Sequence, residues 1–136
     1  MQHKQYSVSS SILSLLVILL ALVGAGVQAA TFTVTNLNDS GPGSLRQAVL
    51  NANATGGADT IQFQAGLVGT ITLTSNIEIT DSLTINGPAA SQLTISGNKA
   101  QQIFYINSAT NPVAVVAING LTLRDGFVND IGSPVR

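Results

Sequence analysis

Residues 69–98 read GTITLTSNIEITDSLTINGPAASQLTISGN and form short alternating runs divided by turn residues. Threonine and serine alternate with isoleucine and leucine, which is the period-two pattern of strands that bury one face. Asn, Gly, Asp and Pro separate the runs, and each of them favours a turn. We therefore predict an all-β chain whose short strands lie at 31–36, 60–64, 70–75, 77–79, 82–86, 92–96, 103–107, 113–119 and 121–124.

Similar short sequence motifs recur along the chain at intervals near 22 residues. LTIN at 83–86 resembles FYIN at 104–107 (104 − 83 = 21), and ITL at 71–73 resembles LTI at 93–95 (93 − 71 = 22). Such a period predicts a parallel β-solenoid, in which each coil pairs with the next about 4.8 Å away. The alternative is an antiparallel sandwich, whose turn signals recur at intervals of about 8–12 residues.

One stretch among these strands, SLRQAVLNAN at 44–53, has a helical pattern instead. Ser44 and Gln47 have the spacing of a capping box. The apolar residues at i, i+3, i+4 and i+7 form a single stripe, consisting of Leu45, Ala48, Val49 and Ala52. A helix of about ten residues is too short to be stable alone in water, so the stripe must pack on another element. We predict that it caps the first coil, whose unpaired backbone groups would otherwise invite association.

The N-terminal segment has the organisation of a secretory signal peptide. Lys4 precedes an uncharged apolar run at 12–23, and small residues follow, with Val27 and Ala29 at the −3 and −1 positions. The alternative, an uncleaved membrane anchor, needs about 20 apolar residues. We therefore expect cleavage after Ala29, no membrane segment in the mature chain, and a secreted or cell-surface location.

The predicted domains are a signal-peptide helix at 1–29, a strand-helix-strand cap at 30–66 and the first coils of a β-helix at 67–136. About three coils are the minimum for a stable solenoid. Because the last region shows no C-terminal cap, we expect the chain to be the truncated start of a longer protein.

The composition excludes several classes of function. Charged residues make up 8% of the chain and the formal net charge is −1, so a nucleic-acid partner is not expected. There is no cysteine, which removes disulfides, thiolate metal sites and cysteine nucleophiles. The single histidine, His3, would leave with the signal peptide. We therefore expect no cofactor, no bound metal and no Ser-His-Asp chemistry.

The remaining candidates for chemistry are carboxylates near turns. Glycoside hydrolysis needs two carboxylates at a defined separation, and the candidates are Glu78, Asp81, Asp125 and Asp130, with Arg124 as a base for elimination. With a period of 22, Asp81 and Asp125 would share a stack position two coils apart, about 10 Å from each other. Isolated aspartates at turns commonly bond their own backbone, so we predict no catalytic residue. A Ca²⁺ site at Asp125 or Asp130 is the alternative, although no EF-hand spacing is present.

Other side chains have simpler interpretations. We expect Arg46 to be solvated or bonded to nearby carbonyls, and Tyr105 to point outward. The phenylalanines should alternate into the core. Threonines of the outer face, with few charges around them, would suit surface display or adhesion; they are Thr72, Thr84 and Thr94. The glycosylation patterns at Asn38 and Asn53 are expected by chance in a chain rich in Ser, Thr and Asn.

VTNLNDSGPGSLRQAVLNANATGGADTIQF at 34–63, followed by the stretch 69–98, resembles the N-terminal region of bacterial secreted right-handed parallel β-helix proteins of the pectate-lyase-like superfamily. The similar proteins carry a Cys-Ser-Leu-Arg-Glu-Ala signature in the cap. This chain reads Gly43-Ser44-Leu45-Arg46-Gln47-Ala48 there. The resemblance covers about residues 31–126.

The resemblance implies a non-enzymatic, adhesin-like segment of an exported or cell-surface protein. A surface polysaccharide or a host-surface ligand would then be bound by later coils. The alternative is the start of a polysaccharide lyase or glycoside hydrolase whose catalytic coils lie beyond residue 136. A small independent secreted binding domain is a third interpretation.

Overall fold

The computed structural model describes residues 1–3, 28–107, 109 and 111–127. The predicted signal peptide therefore lies outside the described residues, except at its two ends, and so does Asp130. No helix of the described ranges is long and apolar enough to cross a membrane. Their secondary structure, in chain order, is β1 (Thr31–Val34), α1 (Leu45–Ala54), β2 (Asp59–Phe63), β3 (Gly69–Thr72), β4 (Ile77–Ile79), β5 (Leu83–Asn86), β6 (Leu93–Ser96), β7 (Phe104–Ile106), β8 (Val116–Asn119) and β9 (Thr122–Arg124).

The strands form three parallel sheets, and the chain enters these sheets in turn. Sheet A has the order β1-β2-β5-β8, sheet B the order β3-β6-β9, and sheet C pairs β4 with β7. We call β2, β3 and β4 the first round, β5, β6 and β7 the second, and β8 and β9 the third. Every strand pair of the described residues is parallel. The predicted all-β class with one short helix is therefore confirmed, and the antiparallel sandwich is wrong.

The register differs from the 22-residue period of the sequence. Asp59 pairs with Leu83, 24 residues later (83 − 59 = 24), whereas Leu83 pairs with Val116, 33 residues later (116 − 83 = 33). The similar words LTIN and FYIN lie in different sheets, because β5 belongs to sheet A and β7 to sheet C. The alternation of Thr with Ile is common to most strands, so it cannot distinguish one sheet from another, and unequal turns make the rounds unequal.

One apolar core is shared by the three sheets and the helix. It consists of the inward residues of each strand, stacked on their register partners in the next round. Ile61 and Ile85 pair in sheet A, Ile71 and Ile95 pair in sheet B, and all four are fully buried. Burial of each such side chain contributes about 1.5–3 kcal/mol.

Helix α1 begins after Ser44, as predicted. The Ser44 Oγ accepts a hydrogen bond from the backbone N–H of Gln47 at 3.1 Å. The reciprocal half of the capping box is replaced, because the Ser44 N–H donates to the Gly41 carbonyl at 3.2 Å and the Gln47 side chain donates to Asn51. The predicted stripe is buried and packs on β1, β2 and β4.

Gly43 lies in the loop that immediately precedes the helix cap Ser44. Its φ is +78°, a left-handed conformation that favours glycine, and a Cβ there would overlap the side chains of Thr35 and Asn36. The two ends of the loop at 35–43 also meet here, because the N–H of Thr35 donates to the Gly43 carbonyl at 2.9 Å. Glycine at position 43 is therefore favoured by the path of this loop.

Engineered cross-links test the register. Because the chain has no cysteine, Thr60→Cys together with Thr84→Cys introduces one pair at register partners of sheet A. Neighbouring strands lie about 4.8 Å apart, within the Cα separation that a disulfide spans. Mild oxidation should therefore form the cross-link, measured by non-reducing electrophoresis and by mass spectrometry.

The matched control is Thr84→Cys with Tyr105→Cys, a pair that the 22-residue period would bring together (105 − 84 = 21). The structure places these positions in sheets A and C, so this pair should stay reduced. Cross-linking of the control at the rate of the test pair would contradict the register.

Candidate functional site

The outer edge of β4 is where the helix meets the sheets. β4 is the first strand of sheet C and pairs only with β7 among the described strands. Its opposite edge presents backbone groups that need other partners. Two side chains of α1 reach this edge, Arg46 and Asn53. They are seven residues apart, about two helical turns, and so lie on the same side of the helix.

Arg46 binds the backbone that leads into β4. Its Nη1 donates to the Asn76 carbonyl at 2.7 Å and its Nη2 to the Ser75 carbonyl at 2.8 Å. The guanidinium also holds Asp39, through Nε to the carbonyl at 3.2 Å and through Nη2 to Oδ1 at 2.7 Å. Of the two expected environments for Arg46, bonding to nearby carbonyls is thus the one observed, and the side chain is only 18% exposed.

Asn53 binds the other end of the same strand. Its Nδ2 donates to the Glu78 carbonyl at 2.8 Å, and its Oδ1 accepts from the Thr80 N–H at 3.0 Å. A residue of a neighbouring parallel strand makes this same pair of bonds, to the groups on either side of Ile79. The amide of Asn53 therefore takes the place of a strand residue, and both of its polar atoms are engaged.

Asp39 joins the loop before the helix to the turn after β3. Its Oδ2 accepts from the hydroxyl and the backbone N–H of Thr74. Partial burial raises the pKa of the Asp39 carboxyl, but the bonds from Thr74 and Arg46 and the guanidinium charge outweigh burial and hold the pKa below its ordinary value. The ion pair is therefore present at neutral pH.

A groove of about 220 Å³ lies over this edge, between α1 and β4. Its charged lining residues are Arg46, which is bonded as above, and Glu78, whose Oε1 accepts from Asn107 at 2.8 Å. The lining contains neither a second carboxylate nor a nucleophile beside a base; it consists of Arg46, Val49, Leu50, Asn53, Asn76, Ile77 and Glu78. This arrangement can hold the helix on the sheet but has no acid-base pair.

Of the carboxylates singled out from the sequence, those that the structure describes bind separate partners. Asp81 follows β4, and its Oδ1 accepts from Ser82 at 2.7 Å and from Asn111 at 2.6 Å. Asp125 follows β9, with Oδ2 3.7 Å from Nε of Arg124. The expected stacking of Asp81 and Asp125 is wrong, because one lies before a strand of sheet A and the other after a strand of sheet B. No group of three His, Cys, Asp or Glu side chains in the described ranges could hold a metal ion.

The outer faces carry rows of uncharged polar side chains. In sheet A, Gln62 donates to Thr33 and Asn119 donates to Asn86, each at 3.2 Å between register partners. The expected outward positions are exposed or half-buried, at Thr72, Thr84 and Thr94. Tyr105 is exposed as expected, but Phe127 is also exposed, contrary to the core position predicted for it. Phe127 follows β9, and no further strand of the described residues packs above it.

Asp59 is a further residue of interest, beyond the carboxylates predicted from the sequence. It is only 1% exposed, although it is charged. The alternation of DTIQF indicates an inward position for Asp59. Residues two apart in a strand face the same side, and Ile61 and Phe63 point inward. An inward carboxylate in a core of isoleucine and leucine needs a partner.

Comparison with known proteins gives no relative. No family model matches the chain, and neither a curated protein nor a solved structure matches it.

Removal of the Arg46 side chain should loosen the cap. We expect Arg46→Ala to lower the free energy of unfolding by about 2 kcal/mol, because hydrogen bonds from a charged donor are lost and Asp39 loses its counter-ion. The measurement is urea unfolding followed by circular dichroism. Arg124→Ala is the matched control: its side chain is 58% exposed, and its loss should change the free energy by less than about 0.5 kcal/mol. Equal effects of the two variants would contradict the role of Arg46.

The Asp39 network should also make stability depend on acid. Since the pKa of Asp39 is lowered on folding, its contribution is fully present above the pKa of the unfolded chain, about 3.9. The contribution is lost as pH falls through the lower pKa of the folded state. Urea midpoints should therefore drop less between pH 6 and pH 3 in Asp39→Asn than in the unchanged chain. Asp125→Asn, which removes a longer and more exposed ion pair, is the control; an Asp39→Asn profile parallel to that of the unchanged chain would refute the prediction.

Proposed function

We propose that this chain is the exported N-terminal part of a right-handed parallel β-helix protein, and that its own task is to start and seal the β-helix without enzymatic activity. Three parallel sheets entered in turn support the coiled path, with each round corresponding to one coil. A connection between parallel strands of one sheet is right-handed in about 98% of cases, which supports the handedness. The resemblance of the cap sequence supports the same architecture.

The observation that carries the sealing role is the position of α1 on the first round. The helix packs its apolar stripe on β1, β2 and β4, which belong to two of the three sheets. Its polar side chains Arg46 and Asn53 bind the outer edge of β4. One element thereby covers both the apolar interior and part of the open edge, the two features that make the end of a solenoid prone to association.

The opposite end supports continuation into further coils. Large apolar side chains there are exposed, namely Ile106, Val113, Val115, Leu123 and Phe127. The strands of the third round have no described neighbour on their far side. Further coils of the same polypeptide would cover these residues and would carry the surface that binds a polysaccharide or another cell-surface ligand.

The non-enzymatic part of the proposal is supported by the bonding of the carboxylates. Glu78, Asp81 and Asp125 are dispersed over different elements and each accepts hydrogen bonds or faces a cation. The uncharged rows of the outer faces suit display at a surface. No side-chain arrangement of the described residues favours the alternative, a polysaccharide lyase or glycoside hydrolase.

Leu45→Asp tests the sealing role. Leu45 is fully buried beneath the helix, so a carboxylate there should lift α1 from the first round. We expect a loss of about 3 kcal/mol or more in the free energy of unfolding and concentration-dependent association, measured by urea unfolding and analytical ultracentrifugation.

The matched control is Leu50→Asp on the same helix, where the side chain is 54% exposed. This variant should remain monomeric with nearly unchanged stability. A monomeric, cooperatively melting Leu45→Asp protein would contradict the sealing role. Release of unsaturated products from polygalacturonate by the purified mature chain would contradict the non-enzymatic part.

A further inference from the structure

Asp59 is the one charged side chain that is fully enclosed within the described residues. It lies on the inward side of β2 and pairs in register with Leu83, which is also buried. Its Oδ2 is buried and has no hydrogen-bond partner in the part of the chain that the structure describes. An ionised carboxylate in such a position is strongly unfavourable unless it is paired with a cation.

The other oxygen of Asp59 has one donor, the backbone nitrogen of Ala30. The Ala30 N–H donates to Oδ1 at 2.7 Å, a separation typical of charge-assisted bonds. The Ala30 carbonyl accepts from the Thr60 N–H at 2.8 Å, which makes Ala30 the first residue held by the β1–β2 ladder. The nitrogen is therefore fixed beside the carboxylate by bonds on both sides of its Cα.

This nitrogen belongs to the peptide bond at which the sequence predicts signal-peptide cleavage, between Ala29 and Ala30. Ala29 is exposed and Ala30 is half-buried, so burial increases across this bond. In the uncleaved chain the nitrogen is a neutral amide with a single hydrogen. It can satisfy one oxygen of Asp59 but cannot neutralise the carboxylate.

Hydrolysis changes both properties of the nitrogen. Water adds across the bond, Ala29 leaves as the carboxylate end of the released peptide, and the Ala30 nitrogen takes up protons to become an ammonium group. An α-amino group has an ordinary pKa of about 7.7–8.0, so the charged form predominates at neutral pH. The ammonium has three hydrogens, enough to serve Oδ1 and Oδ2 together, and it carries the positive charge that the pocket of Asp59 lacks.

We propose that the α-amino group created by cleavage after Ala29 is the counter-ion of Asp59, so that processing completes the N-terminal end of the fold. The inference rests on the proposed export. The uncleaved chain folds with an uncompensated carboxylate beneath β1, and the mature chain folds with a buried ion pair. Ala30 is then a positioning residue of the cap, because only a mature chain that begins at Ala30 places its ammonium group beside Asp59.

The first test compares mature chains that differ only at the N-terminus. One begins with a free Ala30 amine, the second has this amine acetylated, and the third begins at Ala29. Because all the bonds described above lie within residues 30–127, each chain contains the complete cap and sheets. The free Ala30 chain should have an unfolding equilibrium constant about tenfold smaller than the other two, equivalent to about 1.4 kcal/mol, measured by urea unfolding at pH 7.

Asp59→Asn is then added to all three chains. The difference among the N-termini should disappear, because the amide has no charge to pair with the ammonium. In the matched control Asp81→Asn the tenfold difference should persist. Equal stability of the three N-termini with Asp59 present, or a difference that survives Asp59→Asn, overturns the proposal.

A second measurement does not depend on the folding of Asp59→Asn. The mature chain contains two amines, the α-amino group and the exposed Lys99 side chain. With an amine-reactive label, the Ala30 amine should react at least about tenfold more slowly in the folded chain than in urea, whereas Lys99 should react at similar rates in both. In the chain that begins at Ala29 the terminal amine should not be protected. Equal reactivity of folded and unfolded Ala30 amine would sink the proposal.

Export is tested separately. The full chain is expressed in a bacterial host, and the N-terminus of the exported product is determined by mass spectrometry. A product that begins at Ala30 supports the proposal, and a product that begins elsewhere overturns it even if export occurs. Failure of export contradicts the proposed function alone, because the pair of Ala30 and Asp59 is measured independently on purified chains.

Discussion

Hydrogen bonding between parallel strands of successive rounds is the constraint on which the rest of this structure depends. The strands of each round satisfy the N–H and C=O groups on one edge of the round before it. No earlier round precedes the first among the described strands, so the outer edges of the first round need other hydrogen-bond partners. In sheet A the extra strand β1 provides them. In sheet C the side chains of Arg46 and Asn53 bind the edge of β4. Beside sheet B, Asp39 binds Thr74 just after β3.

The same constraint accounts for the unusual composition. Register partners lie about 4.8 Å apart, and like charges at such distances repel by about 1–4 kcal/mol, depending on exposure. Uncharged amides and hydroxyls can instead bond their own kind, as Asn119 bonds Asn86. Charged residues are accordingly 8% of the chain, and those that the structure describes lie mainly at turns, at strand ends and in the cap.

The parts of the fold that could be predicted from the sequence are the local ones. Alternation located the strands, and the Ser44 cap with its apolar stripe located α1, because these signals depend on residues within one or two turns. The register could not be predicted, since Thr-Ile alternation is shared by strands of different sheets. The partners of Arg46 and Asn53 also escaped prediction. They lie 25 to 30 residues away in the chain and depend on the register. The alternation of β2 could have predicted the inward position of Asp59, but not its contact with Ala30.

The helix gives the molecule a polarity. Among the described residues, α1 covers one end of the stack of rounds, and the strands at the other end have no described neighbour on their far side. Under the proposed export, the chain crosses the membrane from its N-terminus, and the end covered by α1 emerges first. Each later strand can then pair with a strand that has already folded, so the strands fold in the order in which they emerge. Folding that follows translocation in this way keeps the number of unpaired edges to one layer at any moment.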